Sequence, residues 1–450
     1  MITTINPYTK EVIANYPFLT DTELNDKLAL SGRAYHSWKQ TSLKERQELV
    51  LQFLEIIEQE EQELALLVTQ EMGKPISEAK REVAKCVRSI RQFVEKSDEY
   101  LKEEIIKTNY AESIVIYEST GTVLGIMPWN FPLWQVIRYA IPNLLGGNTI
   151  LLKHAPNTVG CGERVEELFV EAGFPKGIFQ HLIIGLSQVE TVIASPIVSG
   201  VTLTGSDRAG KAVAALAGKH LKKCVLELGG NDPFIVLKDA DIQEAAEKAV
   251  AARMGNTGQV CIAAKRVIVE EVVLDKFTSF YLSKVSDYQS DNPINESTTL
   301  GVMAREDLGE NVMKQVKQLI ANGAKILFGS VEELAAHAIK PCVLQLTSEQ
   351  TIDEEIFGPV GLIIPVKDEE EAIKVANDTK YGLGASLWTT NKESIQRITP
   401  QLEAGAVAVN VPVKSEVALP FGGVKQSGFG KELGEMGMKE FLNAKTTVIV

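Results

Sequence analysis

The sequence predicts an α/β protein with largely parallel sheets, and three observations support this. Helical periodicity fills residues 20–100, strand-like and helical segments alternate over residues 149–203, and the same alternation returns over residues 234–388. Repeated β-α units of this kind are typical of a parallel sheet with helices on both faces. The length of 450 residues suggests two or three domains.

The N-terminal helices are predicted from capping signals and an apolar stripe. Thr20 with Glu23, and Ser42 with Glu45, each form a possible capping box before apolar residues at helical spacing. A third helix is predicted from a stripe of apolar residues, namely Val83, Val87, Ile90 and Val94.

The pattern changes after residue 113. Residues 114–126 alternate like a strand pair, and the β-branched tail, residues 446–450, could add an edge strand to a partner's sheet. The predicted elements between them are strand 149–152, helix 161–172, strand 178–184, helix 187–194, strand 198–203, strand 234–237, helix 242–254, strand 267–269, helix 274–286, helix 372–378 and strand 385–388.

Composition excludes several classes of protein. Hydrophobic residues at 45% and charged residues at 23% disfavour disorder and fibrous structure. A net charge of −13 argues against a nucleic-acid partner, and it means that an anionic ligand needs a local positive group. Five cysteines without a CxxC pair disfavour disulfides and a structural zinc site, and we expect no metal and a reduced, cytoplasmic setting.

Residues 119–137 carry no charge, which raises the question of a membrane span. Gly121, Gly125, Pro128, Asn130 and Pro132 interrupt the run, whereas a spanning helix needs about 20 mostly apolar residues. We therefore predict a buried functional segment and no membrane partner. The N-terminus lacks a basic region followed by an apolar core, so no signal peptide is expected.

Four short stretches carry the chemistry, and a fifth supports them. In order they are Pro128-Trp129-Asn130-Phe131-Pro132, Glu227-Leu228-Gly229-Gly230, Asn256-Thr257-Gly258-Gln259-Val260-Cys261, Glu354-Glu355-Ile356-Phe357-Gly358-Pro359 and Pro420-Phe421-Gly422-Gly423. Together, in this order and spacing, they resemble the aldehyde dehydrogenase superfamily over nearly the whole chain. The resemblance implies a Rossmann-like cofactor domain, an α/β catalytic domain and a small β oligomerisation extension.

The catalytic chemistry can be argued from residue types. Oxidising an aldehyde by hydride loss requires a tetrahedral adduct, and a thiolate is the natural nucleophile near neutral pH. A lone cysteine is more often a buried apolar residue, an Asn between prolines often caps a turn, and a lone Glu is usually solvated. The resemblance instead implies that Cys261 forms a thiohemiacetal and then a thioester, that Asn130 holds the oxyanion, and that Glu227 activates water.

Cofactor binding is predicted at a glycine-containing turn, residues 204–210, which follows a strand and opens a helix. Its amides could meet a pyrophosphate, although it is not the GxGxxG pattern. The resemblance implies that Gly205 and Ser206 lie near the phosphates. It also implies that Glu355 holds the nicotinamide ribose and that Phe357 and Trp129 lie beside the cofactor.

The choice between NAD and NADP is predicted at residues 153–156. The resemblance places Lys153 on the adenosine ribose, and Pro156 stands where many members that prefer NAD have a glutamate. Without that carboxylate a 2′-phosphate is not repelled, and Lys153 could pair with it. Because proline has no donor for this phosphate, strict NADP preference is not assured, and we expect use of both cofactors.

Arg138 is the one charge between Glu118 and Lys153, and it suggests the substrate. It either pairs with a core carboxylate or binds a substrate carboxylate through its planar fork. Succinate semialdehyde dehydrogenases have Arg at this place, and Ser415 matches a serine that contacts the same carboxylate. The closest resemblance is to the short bacterial NAD(P)-dependent enzymes of that branch.

Two departures from that branch broaden the expected specificity. Gly255 replaces a second arginine that many members carry, and Ala263 replaces the second cysteine of a redox switch that some have. Glutarate semialdehyde is therefore a plausible second substrate. Alternatives are a broad aliphatic or aromatic aldehyde dehydrogenase with a structural Arg138, an inactive binding protein and an esterase.

The resemblance also implies a division into domains and an oligomer. Residues 1–104 and 121–229 are assigned to the cofactor-binding domain, and residues 230–430 to the catalytic domain. Residues 105–120 and 431–450 are assigned to the oligomerisation extension of a homodimer or homotetramer.

Overall fold

The computed structural model describes residues 1–330, 339–350, 352 and 354–450, and it confirms the α/β class. The helices are α1 Asp21–Trp38, α2 Leu43–Gln59, α3 Glu61–Met72, α4 Ile76–Tyr100, α5 Trp134–Leu145, α6 Val159–Glu171, α7 Val189–Ala194, α8 Asp207–Lys219, α9 Ile242–Met254, α10 Leu274–Val285, α11 Glu306–Ala321, α12 Glu369–Asn377, α13 Lys392–Ile398 and α14 Gly434–Lys439. Short 3-10 helices lie at Leu186–Gln188, Gly255–Gly258, Glu271–Val273 and Thr399–Gln401.

The strands of the described residues form two large sheets and three small ones. They are β1 Ile2–Ile5, β2 Val12–Tyr16, β3 Glu104–Ile105, β4 Glu112–Ser119, β5 Thr122–Ile126, β6 Thr149–Lys153, β7 Phe179–His181, β8 Val198–Thr204, β9 Lys223–Glu227, β10 Pro233–Val236, β11 Arg266–Glu270, β12 Lys325–Phe328, β13 Cys342–Gln345, β14 Val360–Val366, β15 Tyr381–Gly382, β16 Gly384–Trp388, β17 Ala406–Val409, β18 Val424–Lys425, β19 Gly428–Phe429 and β20 Leu442–Ile449. The elements predicted between residues 149 and 388 all coincide with observed ones.

The first large sheet has the order β19-β9-β8-β5-β6-β7. Its strands are parallel except β19, which pairs antiparallel with β9. The chain runs outward from β5 to β7 on one side and continues from β8 to β9 on the other. This reversal between β5 and β8 opens a crevice at the carboxyl ends of the strands, where open α/β sheets bind ligands.

The second large sheet has the order β12-β13-β14-β11-β10-β16-β17 and is parallel apart from β12. Only five residues separate the end of β9 at Glu227 from the start of β10 at Pro233. The carboxyl edge of the first sheet therefore faces the amino edge of the second, and the loops between them share one space.

The N-terminal helices begin where their caps predicted. The Thr20 and Ser42 hydroxyls accept from the backbone N–H groups of Glu23 and Glu45, and both glutamates bond back. These helices share a buried core with α5 and the first sheet, in which the Phe53 ring stacks on another ring at 3.9 Å between centroids.

One prediction about strand pairing is wrong, whereas the pairing of the tail with a partner's sheet stays a prediction. Residues 114–126 do form two strands, but β4 and β5 lie in different sheets. The tail strand β20 pairs with β4 of its own chain, from Leu442 opposite Ser119 to Ile449 opposite Glu112, in a sheet that β3 completes. The tail thus occupies the edge of β4 that β5 was predicted to take.

None of the helices among the described residues is both long and apolar enough to cross a membrane. The charge-free run at residues 119–137 instead supplies β5 and the buried start of α5.

Candidate active site

The candidate site lies between the two large sheets. Asn130 follows β5, Glu227 ends β9, Cys261 precedes β11 and Glu355 precedes β14. The topology therefore brings the motif-bearing loops, far apart in sequence, to a single place.

The loop that presents Cys261 is a left-handed turn held by side chains. Asn256, Thr257 and Gly258 have φ values of 53°, 56° and 71°. For two residues with a Cβ this backbone is costly, about 1–3 kcal/mol each, and such strain persists only where the surroundings impose it. The backbone N–H of Asn256 donates to Glu78 Oε2 at 2.7 Å, and Gln259 Nε2 donates to the backbone carbonyl of Asn256 at 3.1 Å.

Lys265 holds the same loop in place through its side chain. Its buried Nζ donates to the Val260 carbonyl at 2.9 Å and to the Cys261 carbonyl at 2.5 Å. It also forms an ion pair of 2.9 Å with Glu355 Oε1. The loop of the predicted nucleophile and the predicted ribose ligand are thereby tied to one ammonium group.

The Cys261 thiol is half-buried and lines a cavity. Burial raises its pKa to about 11, although Lys265 and Arg138 oppose this shift by favouring the thiolate. Because the thiolate is the reactive form, a base must take the thiol proton near neutral pH.

Asn130 is hydrogen-bonded to the loop that presents Cys261. Its buried side chain donates from Nδ2 to the Gln259 carbonyl at 3.0 Å, and its own carbonyl accepts from Asn256 Nδ2 at 2.9 Å. An amide group carries a second N–H, and across the described chain the Cys261 backbone N–H has no acceptor within hydrogen-bonding geometry. Two donors thus remain for an oxyanion.

Glu227 is 2% exposed, and its Oε1 has no hydrogen-bond partner among the described residues. Burial, with the nearby Glu432 carboxylate, raises its pKa to about 8, against the opposing charges of Arg138 and Lys431. A Cβ on Gly422 would stand 2.9 Å from Glu227 Oε1, so this glycine leaves room beside the carboxylate. A carboxylate with this proton affinity suits a general base.

Four of the predicted cofactor residues, Gly205, Ser206, Lys153 and Pro156, lie at or just beyond the carboxyl ends of strands in the first sheet. Gly205 and Ser206 follow β8, and the Ser206 hydroxyl caps α8 by accepting from the Ala209 N–H. Lys153 ends β6 and is 8% exposed, and within the described ranges its side-chain ammonium has no hydrogen bond or ion pair. Burial lowers the pKa of Lys153. Pro156 is exposed just beyond.

These residues fit a dinucleotide. The N-terminus of α8 favours an anionic phosphate, and the unpaired Lys153 ammonium offers a charged donor. Glu355 accepts from the Gly230 N–H at 3.3 Å besides pairing with Lys265. Phe357 and Trp129 pack edge to face, with 5.8 Å between ring centroids.

The candidate substrate residues meet in a cavity of about 520 Å³ that also holds Cys261. Arg138 is 3% exposed, forms a buried ion pair with Glu432 and donates from Nη2 to Thr204 Oγ1 at 3.2 Å. Ser415 accepts a hydrogen bond of 2.5 Å from Lys85 Nζ. The structure is thus compatible with both predicted roles of Arg138, the structural ion pair and the substrate ligand, since it pairs with a core carboxylate and also lines the cavity.

Sequence reasoning missed three charged residues of this region, namely Glu82, Lys265 and Lys85. Glu82 Oε1 accepts from the Leu133 and Trp134 N–H groups at 2.9 and 3.0 Å, and so caps α5 directly after Asn130. The signal available in the sequence for Glu82 was a carboxylate directly beside Val83 of the apolar stripe on α4.

Comparisons with known proteins agree with the motifs. A model described as the aldehyde dehydrogenase family matches residues 1–447. The NADP(+) succinate-semialdehyde dehydrogenase of Deinococcus radiodurans is 42% identical over 445 residues, covering 98% of this chain and 93% of that protein. The NAD(P)+ succinate semialdehyde dehydrogenase of Escherichia coli is 41% identical, covering 98% and 96%. The crystal structure of succinic semialdehyde dehydrogenase from Streptococcus pyogenes with NADP+ has a TM-score of 0.97 and 37% identity, covering 100% of both chains.

Proposed function

The chain belongs to the aldehyde dehydrogenase family, and we propose that it oxidises succinate semialdehyde to succinate with NADP or NAD. The observation that carries the substrate is the cavity beside Cys261, whose wall holds buried Arg138 and Ser415. A carboxylate needs such donors once it leaves water. The relatives that act on succinate semialdehyde support the same substrate.

The reaction starts with proton transfer. Glu227 takes the Cys261 thiol proton, and the thiolate sulfur attacks the aldehyde carbon to form a thiohemiacetal. The oxyanion accepts hydrogen bonds from Asn130 Nδ2 and the Cys261 backbone N–H, and losing one such donor typically costs about 3–4 kcal/mol of barrier. When bound, NADP or NAD supplies the acceptor for the hydride that leaves the adduct carbon.

The acyl group then leaves Cys261 by hydrolysis. Glu227, after releasing its first proton to solvent, removes a proton from water as the oxygen attacks the thioester carbon. The C–S bond breaks, the acid departs and Cys261 is regenerated. The buried position of Glu227, with one oxygen unpaired, supports both of its roles.

A panel of aldehydes tests this function. With wild-type enzyme and NADP, kcat/KM for succinate and glutarate semialdehydes should exceed that for butanal and benzaldehyde by at least about 100-fold, because only the acids satisfy the charged donors of the cavity. If kcat/KM for butanal equals that for the acid-bearing aldehydes, the enzyme is instead the broad-specificity alternative.

A paired variant tests the contribution of Arg138. Arg138→Met is combined with Glu432→Gln so that no lone charge is left buried, and Glu432→Gln alone is the matched control. The double variant should lose part of the preference for the acids that the single control keeps.

Lys153 should discriminate between the cofactors. Lys153→Met removes the unpaired ammonium, so kcat/KM with NADP should fall by about 10–100-fold and that with NAD by less. Steady-state kinetics with both cofactors measures this, and Lys176→Met, at an exposed site, is the control. A wild-type preference for NAD beyond about 1000-fold, roughly 4 kcal/mol, would contradict the use of both cofactors.

We also propose the domain boundaries stated above, a homodimer or homotetramer, and work in the cytoplasm. The sheets support the boundaries, although β19 of the assigned catalytic segment pairs with β9 of the cofactor sheet. Strand β20 exposes most of its side chains, and Ile105 of β3 is 73% exposed. An exposed sheet of this kind is a natural surface for a second copy.

A further inference from the structure

A group of cations lines the cavity beside Cys261. Lys85, Arg88, Arg138 and Lys414 contribute to its wall, against the single carboxylate of Glu416. The chain as a whole carries a net charge of −13. Concentrating positive charge in one cleft of an acidic protein raises the local concentration of an anionic ligand.

Arg138 supplies hydrogen-bond donors to this cavity but little net charge. Its guanidinium is in contact with Glu432, and both side chains are buried. Because opposite charges in contact cancel most of each other's field at a distance, a substrate carboxylate would meet a nearly neutral pair. The electrostatic attraction of the substrate carboxylate must then come from another cation.

Lys85 is a cation without a compensating carboxylate. It lies on α4, with Nζ 2.5 Å from Ser415 Oγ and 4.2 Å from the centre of the Trp134 ring. Within the described ranges no carboxylate pairs with it, and Glu82, one turn back on the same helix, pairs with Lys74. An ammonium donates more than one hydrogen bond, so donors beyond the one to Ser415 remain.

The position of Lys85 suits the far end of a short substrate. It also borders a second cavity, of about 690 Å³, which shares Phe131 and Ile262 with the first. Lys85 therefore borders both spaces, and the first of them is also lined by the apolar or aromatic side chains of Phe131, Trp134, Ile262 and Phe421. This arrangement matches an aldehyde with a short apolar middle and a terminal anion.

We propose that Lys85, held by Ser415, binds the substrate carboxylate and determines the preference for acid-bearing aldehydes. This rests on the proposed function and deepens it. Ser415 then has two roles, since it orients the ammonium and can itself donate to the carboxylate. Arg138 completes the site through the donors that its ion pair leaves free.

The test compares aldehydes of equal chain length in matched variants. Lys85→Met should raise KM for succinate semialdehyde by about 10–100-fold and lower the ratio of its kcat/KM to that of butanal by a similar factor, with a smaller change in kcat. Lys85→Arg should restore part of this ratio because it restores the charge. Arg91→Met, six residues further along the same helix, exposed and outside the cavity wall, removes an equal charge and should change the ratio by less than about 3-fold.

The outcomes separate this inference from the proposed function. If wild-type enzyme fails to prefer succinate semialdehyde over butanal, the proposed function is wrong. If the wild type shows the preference and Lys85→Met keeps it, Lys85 is not the carboxylate ligand although the function stands. Equal losses with both aldehydes would show a structural role, and a loss as large in Arg91→Met would show a general charge effect; either result would overturn the inference.

Discussion

Cys261→Ala is expected to abolish the oxidation of succinate semialdehyde. Alanine cannot form the thiohemiacetal, and no other residue at the cavity offers a thiol among those described. Removing the nucleophile of a covalent mechanism lowers kcat by at least about 10⁴-fold. Following NADPH absorbance with substrate in excess measures the loss.

The control for this variant is Cys224→Ala. Cys224 is also a free, half-buried thiol, but it lies on β9 away from the cavity. It should leave kcat within about 3-fold of wild type, in line with the small effects of most substitutions outside special sites. NADP binding by Cys261→Ala should persist, because the cofactor residues are intact. Substantial turnover by Cys261→Ala would remove Cys261 from its role.

Glu227→Gln is expected to halt the reaction after the first hydride transfer. Glutamine keeps the size of the side chain but cannot take a proton from water, so the thioester should accumulate. Steady-state kcat should fall by about 10²–10⁴-fold, the usual contribution of a general base. Stopped-flow mixing should still show a burst of NADPH, slowed because the thiol proton must then leave to solvent.

The pH profile provides a second readout for the same residue. The basic form of Glu227 is active, and its pKa is raised to about 8 by burial and by Glu432. Wild-type kcat should therefore be low below pH 8 and increase as the pH rises through about 8. Glu227→Gln should lack this rising limb of the profile. Retention of the limb in the variant would assign it to another group.

Features set within one turn of the chain could be predicted from the sequence. The capping boxes at Thr20 and Ser42 satisfy donors three residues away, so the residue types alone place the starts of α1 and α2. The glycines of the motifs, in contrast, can be found only through the resemblance, because their close contacts are with residues distant in sequence. A Cβ on Gly229 would lie 2.6 Å from Glu355 Oε2, and one on Gly230 would lie 2.6 Å from the Cys261 carbonyl.

Features that depend on distant partners could not be predicted. The alternation of residues 114–126 specifies strands but not their neighbours, and β4 pairs with the C-terminal β20 instead of β5. The role of Lys265 depends on Glu355, which only the second sheet brings within 2.9 Å. Nothing local distinguishes Lys85 from the other lysines of α4, because its significance comes from Ser415 on another loop.

Identifying the acyl-enzyme tests the proposed thioester mechanism at Cys261 most directly. Glu227→Gln enzyme is mixed with succinate semialdehyde and NADP, quenched in acid, digested and analysed by mass spectrometry. We expect a succinyl group on the peptide that contains Cys261, in an amount equal to the NADPH burst and absent when NADP is omitted. An unmodified Cys261 peptide despite a full NADPH burst, or a succinyl group on another residue, would contradict this mechanism.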